Sequence, residues 1–304
     1  MSNPNIRIIA NNNIDRFKWD QCVQSAINSR IYASSSYLDI VAPGWSGLIW
    51  GNYEYVMPLI VKRKFGISFL MQPTFAQQHG IFPEISIEKQ TFILNYLREQ
   101  FKYIAIHLNS SHKLPPPKGF EVVPRKNLIL KLNPDYNNIS TRFSKHARRQ
   151  ISKAENQKLR IVTGLQARDY IGLKNLAIHN KLREKSVETL HQLIEYGYQT
   201  GLGTIYAAYN EANVLYSAAF FLNDGKRVTY LNAASSPEGK QNRSMYLILN
   251  TFIREHSGTP LILDFEGSSI PGIARFYEGF GAENEPFFYL KMNRLPIPLR
   301  WIKR

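Results

Sequence analysis

The sequence predicts an α/β protein, of the mixed-sheet α+β kind, built as two tandem domains of one design. Three observations carry that prediction. Residues 260–282, PLILDFEGSSIPGIARFYEGFGA, read as a buried strand, a short loop and a helix. The order strand, tight turn, strand, short turn, strand, polar loop, helix, strand, connection, strand runs over 48–132 and again over 203–292, the mark of an internal duplication. The chain of 304 residues, 44% hydrophobic, is enough for two cores. The boundary is expected between 135 and 136. Domain 1–135 then holds a degenerate copy and domain 136–304 the complete one.

Each element has its own signal. Residues 6–10 alternate as a short strand. Ile14, Phe17, Val23 and Ile27 recur at helical spacing. Ser34–Ser36 precede a capped helix carrying Tyr37, Leu38, Ile40 and Val41. Strands over 48–50, 55–61 and 67–70 are joined by turns at GNYE and 64–66. A polar, aromatic loop over 71–82 leads to a helix at 88–100 and a strand at 103–108. LPPP at 114–117 cannot lie inside a helix, and it takes the place of a last helix in the first copy. A strand follows at 127–132. Over 139–157 one helix is expected, with Phe143, Ala147, Ile151 and Ala154 inward. After a strand at 159–162, helices cover 166–181 and 187–200. The second run then has strands at 204–209, 214–222 and 227–233, a loop, a helix at 243–254, and the strand, loop and helix of 260–282. It closes with a strand at 285–292 and a basic tail, RLPIPLRWIKR.

In 260–282 the strand ends in Asp264, Glu266 and Gly267. Pro271 suits a first helical turn. Ile273, Phe276, Tyr277 and Phe280 mark the helix, and Gly281 stops it. A strand therefore delivers two carboxylates to its C-terminal end, where open α/β sheets bind ligands.

IARFYEGFGA resembles the fourth-helix signature of GNAT acyltransferases, and equally the F-K-x-x-F-G of FemABX peptidoglycan aminoacyltransferases, which carry two GNAT-like domains. Phe276, Tyr277, Phe280 and Gly281 carry the match. DFEG at 264–267 is similar to the D-F-x-G before that helix in FemABX sequences. QPTFAQQHGIF (72–82) resembles their first-domain loop, and 144–161 their basic inter-domain helix and following strand. The resemblance implies two tandem GNAT-like domains and an N-acyltransferase.

It also implies roles. Tyr277 stands where GNAT enzymes place the tyrosine that protonates the leaving thiolate; the alternative is a tyrosine packed on the sheet. FemABX proteins have Lys there. Asp264 and Glu266 share one face of the strand, and either suits a general base for the attacking amine. Asp264 otherwise caps the loop and Glu266 pairs with a lysine. The loop before the 243–254 helix is the GNAT site for acyl-CoA (acetyl-CoA) as co-substrate. Its candidates are Ser235, Ser236, Gly239, Lys240, Asn242, Arg243 and Ser244. The family pattern R/Q-x-x-G-x-G/A is missing, with only Gly239 and the small Ser244 left, so a polar capping loop is the competing reading.

A net charge of +15 points to acidic partners. Arg142, Lys145, Arg149 and Lys153, with His146 and Arg148 beside them, form the densest basic stretch. It could hold a nucleotide-linked or other small anionic acceptor, a lipid headgroup or tRNA, or be a solvated face. Tyr37, Trp45, Gln77, Gln78 and His79 are candidates for an acceptor pocket. The acceptor implied by the resemblance is a cell-envelope or polysaccharide precursor. The lone Cys22 excludes an intrachain disulfide framework and a multi-cysteine zinc site. No G-x-S-x-G, P-loop, H-E-x-x-H or dinucleotide fingerprint is present, and no metal is expected. The first residues lack a basic-then-apolar leader, and the most apolar charge-free run, near 212–223, is too short for a bilayer. A cytoplasmic location is therefore expected, with peripheral membrane contact through the tail and a non-catalytic binding protein as the other readings.

Overall fold

The computed structural model describes residues 5–64, 66–176, 183–267 and 270–296. The chain forms two compact units, residues 1–125 with 286–304, and residues 126–285.

The first unit opens with β1 (Ile6–Ala10), α1 (Arg16–Ser25), α2 (Ser35–Val41), β2 (Ser46–Trp50) and β3 (Tyr55–Leu59). β4 (Val61–Lys64), β5 (Ile67–Met71), α3 (Ile87–Gln100), β6 (Tyr103–Leu108) and β7 (Glu121–Arg125) follow. Asp15 caps α1 by accepting from the Lys18 N–H, and Ser86 caps α3 by accepting from that of Lys89. The run expected as one strand over 55–61 divides. β3 closes the sheet β1-β2-β3, whereas β4 begins another.

The second unit runs β8 (Leu128–Lys131), α4 (Tyr136–Thr141), α5 (Lys145–Glu155), β9 (Arg160–Thr163), α6 (Ala167–Leu176) and α7 (Glu184–Thr200). It continues with β10 (Gly203–Tyr209), β11 (Leu215–Asn223), β12 (Arg227–Ser235), α8 (Pro237–Gln241), α9 (Ser244–His256), β13 (Ile262–Asp264), α10 (Pro271–Glu278) and β14 (Glu283–Asn284). Its seven-stranded sheet has the order β14-β8-β13-β12-β11-β10-β9. Every neighbouring pair is antiparallel except β12–β13. The core beneath it is aromatic: Phe221 stacks on Phe252 of α9 at 4.1 Å, and Tyr206 meets both rings edge-on.

The last strand, β15 (Phe287–Asn293), belongs to the first unit. It lies between β6 and β7 in the sheet β4-β5-β6-β15-β7. The structure therefore corrects the boundary expected at 135/136. The strand near 127–132 is β8 and pairs with β13, and the strand near 285–292 leaves the second sheet for the first. A second correction concerns the helix expected over 139–157, which is two. Ser144 accepts the Ala147 N–H at 3.1 Å and starts α5 afresh, so Arg142 stands outside the helix that carries Lys145 and Arg149.

Candidate functional site

The site begins with a mismatch in strand length. β12 has nine residues and β13 three, so they pair only from Arg227↔Ile262 to Thr229↔Asp264. Past that point β12 continues alone on this side. It also bulges: Tyr230 faces Phe221 and Asn232 faces Phe220 on β11, which leaves Leu231 as the extra residue. The gap is a cleft of about 530 Å³. β12 supplies one wall and Phe265, Glu266 and Gly267 the other, with Lys174, Phe276 and Tyr277 also lining it.

The DFEG segment builds that second wall residue by residue. Asp264 is 0% exposed; one oxygen pairs with Arg227 at 2.6 Å and the other accepts the Glu266 N–H at 2.9 Å. Arg227 also meets Glu285 at 3.0 Å. Burial acts against the guanidinium charge, but the two carboxylates outweigh it and hold the Arg227 pKa above its ordinary value. Asp264 is thus engaged in fixing the turn. Phe265 stacks on the Tyr277 ring at 4.7 Å. Glu266 has φ +59° and Gly267 φ +61°, left-handed backbone that a side chain ordinarily avoids. At Gly267 a Cβ would stand 2.1 Å from the Lys126 carbonyl oxygen, so glycine is required there. Glu266 keeps its side chain in the same conformation and lies in the cleft wall.

Tyr277 packs between Phe265 and the edge of Tyr230, whose centroid is 5.8 Å away. Burial, and after it the Glu266 charge, raises the Tyr277 pKa well above the ordinary phenol value. The group therefore stays protonated at neutral pH.

The seven donor-loop candidates divide. Ser236 caps α8 through the Gly239 N–H at 3.0 Å. Ser244 donates to the Gly239 carbonyl at 2.8 Å and shares a hydrogen bond with Ser217 at 2.6 Å. Asn242 donates to Glu238 at 2.9 Å. These three hold the loop itself. Ser235, Gly239, Lys240 and Arg243 line a second recess of about 290 Å³, together with His146 and Gln150 of α5 and with Tyr246 and Phe276. Ser235, Lys240, Met245 and Phe276 line both spaces. Arg243, at φ +61°, donates from Nε to Gln150 at 2.7 Å.

Lys145 and Arg149 are exposed on α5, as are Arg148 and Lys153. Arg142 pairs with Glu283 at 3.2 Å. Tyr37, Gln78 and His79 belong to the first unit and are buried. The Tyr37 hydroxyl donates to the Phe75 carbonyl, and Gln78 donates to Gln77 at 2.7 Å. Burial, then the nearby His107, lowers the His79 pKa to about 3. The Tyr37 hydroxyl and the Gln78 amide nitrogen are engaged inside the first unit, whereas Gln78 Oε1 and His79 Nε2 are buried without a hydrogen-bond partner. Among the described residues no group of three or more His, Cys, Asp or Glu could hold a metal ion, and no helix is long and apolar enough to cross a membrane. The tail beyond Pro296, with Trp301, lies outside the described residues.

Sequence reasoning passed over Lys174, Tyr230, Asn232 and Tyr246, all of which face these spaces. A signal for Lys174 was present: it follows Tyr170 by four positions and Leu173 by one, on the inward face of α6.

No known protein family matches the chain, and no curated protein matches it in sequence. Solved structures do match in shape. The chain is similar to FemX, at 14% identity and TM-score 0.67, over 98% of this chain and 99% of that one. It is similar to a tandem GNAT protein from the clavulanic acid biosynthesis pathway, at 12% identity and TM-score 0.55, over 96% and 99% of the two chains. A third is the C-terminal domain of a putative lysylphosphatidylglycerol synthetase from Agrobacterium fabrum, at 9% identity and TM-score 0.52, over 95% and 93%. The fold is the tandem GNAT-like, FemABX-type fold that the motifs around Tyr277 implied.

Proposed function

We propose that the protein is an N-acyltransferase that moves an acyl group from acyl-CoA to an amine. The observation that carries this reading is the cleft opened between β12 and β13, with Glu266 and Tyr277 both on its walls. Glu266 takes a proton from the acceptor's ammonium group. The amine nitrogen then forms a bond to the acyl carbon, the bond from that carbon to the leaving sulfur breaks, the nitrogen sheds its second proton to solvent as the neutral amide forms, and Glu266 returns its own proton to solvent. Tyr277 gives its proton to the departing thiolate and recovers one from solvent. Tyr277 is protonated at neutral pH, as an ordinary phenol also is, so a proton is available at the cleft wall for the leaving group. The recess along Gly239, Lys240 and Arg243 is the place for the phosphates of the donor. The acceptor is a small or nucleotide-linked anionic molecule, such as a cell-envelope or polysaccharide precursor, and the enzyme works in the cytoplasm.

A second reading, with an aminoacyl-tRNA as donor, is favoured by one feature. α5 lines the recess with His146 and Gln150 and carries Lys145, Arg148, Arg149 and Lys153 exposed beside it, a surface suited to an extended polyanion. Titration calorimetry with CoA and acetyl-CoA separates the two. Binding near ~10 µM, about −7 kcal/mol, supports the thioester donor. Absence of binding at ~1 mM removes it and turns the test to charged tRNA. In either case Tyr277→Phe is expected to lower turnover by ~10²-fold, and an unchanged rate would remove the general-acid role.

A further inference from the structure

The transfer reading leaves one buried charge in the cleft without a task. Ala167, Tyr170, Leu173 and Lys174 form the buried face of α6, so helical spacing turns a lysine inward, where an apolar side chain would ordinarily pack. Lys174 is 7% exposed and still lines the cleft. Its Nζ donates to the Ala233 carbonyl at 3.0 Å, on the part of β12 beyond its pairing with β13. An ammonium group has three donors, and that hydrogen bond uses one. No carboxylate of a described residue lies within ion-pairing distance of it. Burying a cation without a counter-charge costs several kcal/mol, and burial here lowers the Lys174 pKa from its ordinary value.

The neighbouring side chain is oriented by the same helix. Tyr170, one turn before Lys174 and fully buried, donates its hydroxyl to Asn232 Oδ1 at 2.9 Å. With its acceptor end taken, Asn232 offers its amide nitrogen to the cleft it lines. The bulge at Leu231 is what brings Asn232 and Ala233 into this position on β12. Two donors, one of them charged, therefore line the same cleft as Glu266. An amine that also carries an acid group is the complement of that pairing: its ammonium toward Glu266, its oxyanion toward Lys174.

We infer that Lys174 and Asn232 form a binding recess for an oxyanion, carboxylate or phosphate, carried by the amine that accepts the acyl group. The recess narrows the acceptor class to amino-acid-like or phosphorylated amines. The term acceptor rests on the transfer reading; the oxyanion site itself does not.

The test is a titration of the full chain labelled with ¹⁵N-lysine, following the Nζ signals by NMR. The Lys174 signal is assigned by its loss in Lys174→Met, or in Lys174→Arg should the first variant fold poorly. Sodium acetate, inorganic phosphate and uncharged acetamide are added in turn. The expected result is a saturable shift of the Lys174 signal with one or both anions and none with acetamide, and the stronger response tells carboxylate from phosphate. Asn232→Ala should weaken that binding about tenfold, the loss of one hydrogen bond to a charged group. A Lys174 signal that ignores both anions would overturn the proposal, and so would an equal response to acetamide. An amine already deprotonated at neutral pH and indifferent to anions would instead mark a proton acceptor. Failure to detect acyl transfer to any amine would remove the transfer reading and leave this titration to decide the site.

Discussion

Asp264 holds its place by two separate contacts, one to a side chain and one to the backbone. It closes a buried ion pair with Arg227, and it accepts the amide of Glu266, whose own backbone is left-handed. Both contacts act on the same turn, so the residue reaches the chemistry through Glu266. Asp264→Asn keeps the shape and removes the charge, leaving Arg227 with Glu285 alone. Breaking a buried pair by removing one partner costs about 3–5 kcal/mol. The remaining carboxylate argues for the lower end, so a loss of about 3 kcal/mol is expected in urea unfolding followed by far-ultraviolet circular dichroism. A loss within about 0.5 kcal/mol, the range of ordinary surface substitutions, would show that the pair contributes little to the turn. Turnover should fall with it, because the Glu266 amide loses its fixed acceptor. The sequence marks Asp264 and Glu266 equally, since alternation along a strand sets both on one face. It does not reveal that Arg227, at the first position of β12, would occupy one of them.

Among the elements, those with a strong local signal came through. The strand, loop and helix of 260–282 are found as β13 and α10, and the hairpin of β10 and β11 lies where its turn residues put it. The break between α4 and α5 did not show, because the apolar spacing of Phe143, Ala147, Ile151 and Ala154 continues through it. α4 ends at Thr141 with Arg142 as its C-terminal cap, and Ser144 then caps the start of α5; periodicity is blind to such caps. The donor loop shows a related limit. The GNAT resemblance marked it for the donor's phosphates, yet Gly239 serves close packing against β11. A Cβ there would stand 2.1 Å from the Tyr216 carbonyl oxygen, a backbone atom that cannot swing aside. Gly239→Ala is therefore expected to cost about 1–3 kcal/mol as overpacking and to shift α8 with Lys240 and Arg243. A thermal melt reads the first effect and a CoA titration the second. A variant as stable as the parent would mean that α8 lifts from the sheet without penalty.

At the scale of the whole molecule, the repeated order of elements is legible in the chain, whereas the destination of the end strands is not. β8 and β15 are both short apolar runs, and either copy of the unit could have used either one. Only long-range pairing decides, and no window of sequence contains it. The division into two units has a measurable consequence for acid stability. The first unit holds His79 and His112 buried, with pKa values of about 3, in both cases through burial first. Unfolded, both return to about 6.5. Above that value neither form binds the protons and the histidines contribute nothing to the pH dependence. As pH falls below 6.5 the unfolded chain takes up two protons that the folded unit refuses, until the folded values near 3 are reached. Stability of the first unit should then drop by about 1.4 kcal/mol per pH unit for each histidine. Trp19, Trp45 and Trp50 lie in that unit and residues 126–285 contain no tryptophan, so tryptophan fluorescence in urea reports its unfolding separately from the tyrosine-rich second unit. The tryptophan transition is expected to move to lower urea as pH falls from 6.5 toward 3, with a shallower dependence in His112→Gln. A midpoint that holds steady through that range would mean that the two imidazoles protonate in place, and that water reaches them inside the folded unit.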